Sequence, residues 1–319
     1  MIAQVRIPNA EALDDPKTGF SAAGKDKRFR IETEIPHEEE VNRARYMPLQ
    51  YNVIATSTTS GEIHIFDYFK HPTKPSKGDL PRPELRLIGQ DKEGYGLAWN
   101  SIRRGMILSA ATDGKICNWD IESSEVQLGG RLNPLNKYEG HTNGAEDVQW
   151  HNFHQDIFGS VGDDKRLSIW DIRDNDKKAF KSVIAHERDV LSLDFNPFNE
   201  YLLGTSSADY TVALWDLRNL SQKVHELKEH KDEVVKISWS PFKEAVLASA
   251  GNDRRIMIWD LSKVGQKSNR ENAEGPAELL FIHGGHTNNI MEMSWNQNEE
   301  YLLASVSFDN DIQIWQIVY

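Results

Sequence analysis

His186, Thr205, Asp209 and Trp215 supply an imidazole, a hydroxyl and a carboxylate, with offsets of 19, 23 and 29 from the histidine. In a nucleophilic enzyme such a set activates one hydroxyl, and it is needed once. Here it recurs. His141, Ser160, Asp164 and Trp170 keep the same offsets, as do His230, Ser249, Asp253 and Trp259, and His286, Ser305, Asp309 and Trp315. With substitutions at the ends, His37 to Phe66 and Gln90 to Trp119 complete six frames of equal length, starting near 37, 90, 141, 186, 230 and 286. A repeated set is better explained as a lock that rigidifies equivalent turns, because a buried and fully paired network specifies a fold. We therefore read His186, Thr205, Asp209 and Trp215 as a structural relay and expect no enzyme.

Metal chemistry is poorly provided for. His283 with His286, and His151 with His154, lack a third ligand at usable spacing. The single Cys117 can form neither an internal disulfide nor a multi-cysteine metal site. GYGLAWN lacks the third glycine and the helix of a phosphate-cradling loop. No metal and no cofactor are expected.

The elements that must position these residues are strands. TVALW, RLSIW, RIMIW and IQIW place β-branched or aliphatic residues at alternate positions toward the closing aromatic, and VLSLDF and VVKISW do so toward an earlier one. That earlier aromatic stands nine places after each frame start: Tyr46, Trp99, Trp150, Phe195, Trp239 and Trp295. NPFNE, SPFKE, SADY and GNDR between strands carry turn chemistry. Each frame is three antiparallel strands, and KSVIAH, VHELKEH and LLFIHGGH supply a fourth, outer strand. Closing aromatics follow one another at 53, 51, 45, 44 and 56 residues. The shortest intervals and the Trp-Asp endings match the WD repeat, at about 40 to 45 residues and four strands per propeller blade. The expected fold is all-β, a WD-repeat β-propeller occupying 1–319 as one domain.

With 49 acidic against 37 basic residues the net charge is -12, which argues against direct nucleic-acid binding and for basic partners. No stretch has the roughly 18 apolar residues of a membrane span, and MIAQVRIP lacks the features of a signal peptide, so no membrane and an intracellular location are expected. Three places after each frame start stand Glu40, Glu93, Gly144, Asp189, Glu233 and Asn289. Propeller geometry puts these on one face around the central mouth, an acidic ring suited to Lys and Arg side chains of an extended basic peptide. The last interval holds a long loop with Glu271, Glu274, Glu278 and Pro276, followed by the apolar run Leu279 to Ile282, which suits a basic amphipathic helix.

EVNRARYMP (40–48), KEGYGL (92–97), SADYTVALWDLRNL (207–220) and ELLFIHGGHT (278–287) resemble the retinoblastoma-binding, chromatin-assembly-factor group of histone-binding WD proteins. The resemblance implies a seven-bladed, nuclear histone chaperone subunit, with a cytoplasmic location also open. Its partners would be core histones and subunits of chromatin assembly, acetyltransferase, deacetylase, remodelling and Polycomb-type methyltransferase complexes. Carried over by position, the site for the histone-three tail is Glu40, Asn42, Arg43, Glu93, Tyr95, Glu146, Asp189, Glu233 and Asn310. The site for the first helix of histone four is Glu271, Glu274, Leu279, Leu280, Phe281 and Ile282. Val235 stands where the family usually has an aromatic, Phe308 where it has an acid, and Ala277 where it has a second proline. The family's N-terminal helix and the opening strands of its first blade have no counterpart in the sequence.

Two closures remain open. MIAQVRIP and RFRIETEIP are either remnants of a seventh blade, the arrangement the resemblance favours, or RFRIETEIP completes the last of six blades. The alternative function is a substrate receptor of a cullin-type ubiquitin ligase, since Trp170 to Arg173 and Trp215 to Arg218 resemble the Trp-Asp-x-Arg box of such receptors.

Overall fold

The structure is a computed structural model, described over residues 1–5, 29–123, 130–266 and 275–317. Its sheets follow the six frames, giving six blades arranged as a β-propeller. Blade three shows the pattern. Ala145–Trp150 pairs with Ile157–Gly162, then Arg166–Asp171, then Lys181–Ile184, all antiparallel. Val190–Phe195 opens blade four and Val234–Trp239 opens blade five in the same way. Leu279–His283 is the outer strand of blade five. Among the described residues helix is confined to two short 3-10 turns, Tyr68–Lys70 and Leu261–Lys263.

Blades one and two depart from the simple pattern. The outer strand of blade two is Asn136–Glu139, and Arg131–Leu132 crosses to pair in parallel with Leu85–Leu87 of blade one. The segment between the frames thus ties two blades together.

RFRIETEIP does not complete the last blade. Phe29–Thr33 pairs antiparallel with Ile2–Val5 as a separate two-stranded sheet. Among the described residues blade six has three strands, Ile290–Trp295, Leu302–Ser307 and Ile312–Gln316. The physical reason is proximity in sequence, since a nearby partner costs less closure entropy than one at the far end of the chain.

Among the described residues the core is not one mass but five clusters, each lying between successive blades. Val161, Leu167 and Ile169 of blade three, for example, pack on Leu193, Phe195 and Trp215 of blade four. Val212 and Leu214 of blade four meet Ile237, Trp239 and Trp259 of blade five. An aromatic in each inner strand thus fills the wedge against its neighbour, which is why the sequence repeats it.

Candidate functional site

The relay residues come together in four blades. In blade four His186 Nδ1 lies 3.0 Å from Asp209 Oδ2, and Nε2 lies 2.8 Å from Thr205 Oγ1. The Trp215 indole donates to the same Thr205 oxygen at 2.9 Å. Because an indole only donates, the hydroxyl proton turns to Nε2, and Nδ1–H donates to the carboxylate. Burial alone would raise the Asp209 carboxyl; the bonds from His186 and Thr211 outweigh it and hold it below the usual range. His141, Ser160, Asp164 and Trp170 are joined in the same way, as are the sets at His230 and His286. The hydroxyl faces an indole and a histidine, both buried, so its bonds are spent inside the blade. Gly140 is required beside this set: a Cβ there would stand 2.2 Å from the Trp170 ring.

In blade two Gln90 replaces the histidine and exchanges two bonds with Ser109, while Trp119 donates to Ile88 O. In blade one His37 reaches Thr56 at 2.9 Å, and Phe66 has no donor to offer. The histidines weighed for metal are otherwise engaged. His151 accepts from two backbone amides and reaches the Glu200 carbonyl of the next blade, and His283 stacks on Trp315 and bonds Gln313.

The mouth-side rim follows from one recurring bond. The carbonyl three places after a frame start accepts from the amide 22 places after it, as in Glu93 with Thr112, Gly144 with Asp163, Asp189 with Ala208, Glu233 with Asn252 and Asn289 with Phe308. Two rings of side chains therefore share one face. Asn310 belongs to the turn that follows, at φ 64°, equivalent to Gly61, Gly114, Lys165, Tyr210 and Arg254, all at positive φ. Asparagine tolerates that region, so this residue has a local structural role.

Around the rim, Asn42 donates to Glu93 at 3.0 Å. Tyr95 is exposed, and its hydroxyl is pushed up by partial burial and by Glu93, Glu146 and Glu40 around it. Glu233 accepts from Asn252 and sits 3.7 Å from Arg188. The densest charge is at blade three. Burial, reinforced by Asp163, Asp147 and Asp189, pushes the Glu146 carboxyl up to about 7. Burial and Asp189 raise Asp163 as well. Among the described residues no ion pair reaches Glu146, Asp163 or Asp189.

Arg43 stands apart from the rest of the expected tail site. It lies at the inner edge of blade one, where Arg43 and Arg45 both bind Glu292 of blade six at 2.5 Å. Burial would raise Glu292; the two guanidiniums instead hold it well below the carboxylate range. Six places after their frame starts, Arg43, Asp147, Ser192, Lys236 and Glu292 form an inner ring. Asp147, almost fully buried, accepts from Lys236 at 2.9 Å and from Ser192 at 2.8 Å. Sequence reasoning missed this ring and Asp163; the six-place and 22-place offsets are the signals that carry them.

Of the helix site, Glu271 and Glu274 lie outside the described residues. Leu280 is a correction: it turns into the core between blades five and six, because strand alternation sends it inward. Phe281 and Ile282 remain exposed. Beside them a cavity of about 690 Å³ is lined by Gly275, Leu279, Ile282, Glu229, Asp232 and Arg255, among others. On the opposite face Arg173 and Arg218 of the Trp-Asp-x-Arg segments each fork onto their own Asp171 and Asp216.

Repeated blades joined by interlocking aromatics, with side chains displayed on a rim, define a WD-type β-propeller. The family model for the WD domain, G-beta repeat matches residues 132–171, 177–216, 221–260 and 277–316, and the chain belongs to that family. Each match runs from the outer strand of one blade through the three inner strands of the next. Such propellers are generally scaffolds that bind protein partners.

Proposed function

We infer that this chain is a non-enzymatic histone-binding adaptor of chromatin assembly, modifying or remodelling complexes, acting in the nucleus. The observation that carries the reading is the group Glu146, Asp163 and Asp189, half-buried together with no ion pair among the described residues, beside Glu40, Glu93 and Glu233 on the same rim. A Lys or Arg of a histone-three tail entering there relieves the mutual repulsion of these acids, and Tyr95 offers a ring against which the stem packs. Phe308, 59% exposed on the same rim, adds apolar contact where the resembled family has an acid. The exposed Phe281 and Ile282 would take the first helix of histone four.

Calorimetric titration with a histone-three tail peptide at low and moderate salt tests the reading. Salt-sensitive binding is expected, and a folded Glu40→Lys, Glu93→Lys, Glu233→Lys variant should lose it. Absence of binding to the intact, folded chain would refute the assignment.

A further inference from the structure

A buried polar atom without a hydrogen-bond partner is costly, and folded chains seldom carry one. The junction between blades two and three carries three. Asn118, in Lys115–Asp120 of blade two, is fully buried, and neither its Oδ1 nor its Nδ2 meets a partner among the described residues. Exchanging the two amide atoms changes nothing, since both are alone. The hydroxyl of Tyr138, in the outer strand Asn136–Glu139 of the same blade, is buried and equally alone.

These side chains share one face of the blade. Asn136 pairs with Asn118 and Tyr138 with Ile116, so Asn118 and Tyr138 are diagonal neighbours on adjacent strands, a separation that an aromatic side chain spans. Tyr138 packs edge-on against Phe158 and Trp170 of blade three, which fixes its ring in the junction. Burial raises the Tyr138 phenol, and Asn136 lowers it in part without reaching hydrogen-bond geometry, so the ring points its hydroxyl along the strand toward the Asn118 level.

The polar atoms stand where other blades are apolar. The places equivalent to Asn118, 28 after the frame start, hold Ile65, Ile169, Leu214, Ile258 and Ile314. Tyr138, three before a frame start, stands where Leu87, Val183 and Leu227 do elsewhere. Across the junction is Val148, smaller than its counterparts Leu97, Leu193, Ile237 and Met293. Asparagine is likewise smaller than leucine or isoleucine, and both changes free volume beside the three atoms.

We propose that the junction between blades two and three is a binding site for one internal water molecule, held by the Asn118 amide and the Tyr138 hydroxyl. About three polar contacts are the usual complement of a buried water. Water suits the set because it both donates and accepts: Asn118 Oδ1 needs a donor, Nδ2 needs an acceptor, and the hydroxyl serves as either. The site is separate from the mouth-side rim and stands independently of the histone reading.

A high-resolution crystal structure of the full chain should show a density peak within hydrogen-bond distance of an Asn118 side-chain polar atom and of Tyr138 Oη. Oxygen-17 relaxation dispersion counts long-lived internal waters in solution, and Asn118→Leu should lower that count by one. The substitution copies Leu214 at the equivalent place of blade four, which makes it compatible with folding. Tyr138→Phe should also lose the water or shorten its residence, and it carries the test if Asn118→Leu does not fold. A direct bond from Asn118 to Tyr138 or Asn136 with no density between them overturns the proposal. An unchanged water count in a folded variant overturns it as well.

Discussion

Two pairs of adjacent acids in blade three meet opposite fates. Glu146 and Asp147 are neighbours on one strand, yet Asp147 is bound by Lys236 and Ser192 at the inner edge while Glu146 faces other acids on the rim. Asp163 and Asp164 repeat the contrast one turn away. Asp164 is held low by His141 despite its burial, and Asp163 is raised by burial and Asp189. The bound member of each pair is committed to the fold. The unbound member is costly to the isolated chain, and a cationic partner removes that cost.

The largest effect should come from breaking the bound side. Lys236→Met leaves Asp147 buried and uncompensated, and should lower stability by about 3–5 kcal/mol in urea denaturation. Adding Asp147→Leu should restore most of that loss, which would show that the pair gives little net stability beyond its own desolvation. Next comes the relay that fixes Asp164. Ser160→Ala strips buried partners from His141 and Trp170 together, at an expected cost of about 2–4 kcal/mol.

The unbound side should respond with the opposite sign. The folded Glu146 carboxyl, at about 7, lies above its ordinary value of 4.5. Its contribution is therefore fully present below pH 4.5 and lost as pH rises through 7. Glu146→Gln should stabilise the chain by roughly 2 kcal/mol at pH 8, allowing for its partial exposure, and by little at pH 5. Urea curves at the two pH values measure this. The smallest change concerns Cys117, fully buried, whose thiol burial pushes up to about 12. It should resist alkylation at pH 8 until the chain unfolds, as mass spectrometry of labelled samples would show.

The relay and the strands were legible in the sequence because their chemistry is local and repeated. A histidine at a fixed distance from a hydroxyl, an aspartate and an indole states its partners within one frame. The rim was legible in part, since Glu40, Glu93, Asp189 and Glu233 share an offset. Asp163 escaped because it comes from a different turn, joined to that offset only by a backbone bond to Gly144. The Lys236 to Asp147 pair escaped for a geometric reason: its members lie two blades apart, and only ring curvature brings them together. Leu280 was misplaced because an apolar run beside an acidic loop does not say which residue turns inward. The outer strand of blade two was hidden by a segment that serves blade one as well.

If the unbound rim acids receive the cation of a basic peptide, binding must displace protons from them. Titrating a histone-three tail peptide at pH 7 in two buffers of different ionisation enthalpy counts the protons exchanged on binding. A carboxyl with a pKa of about 7 is half protonated there, so about half a proton should be released per peptide, and Glu146→Gln should abolish the release. Binding with no proton release, unchanged by that substitution, would contradict the account.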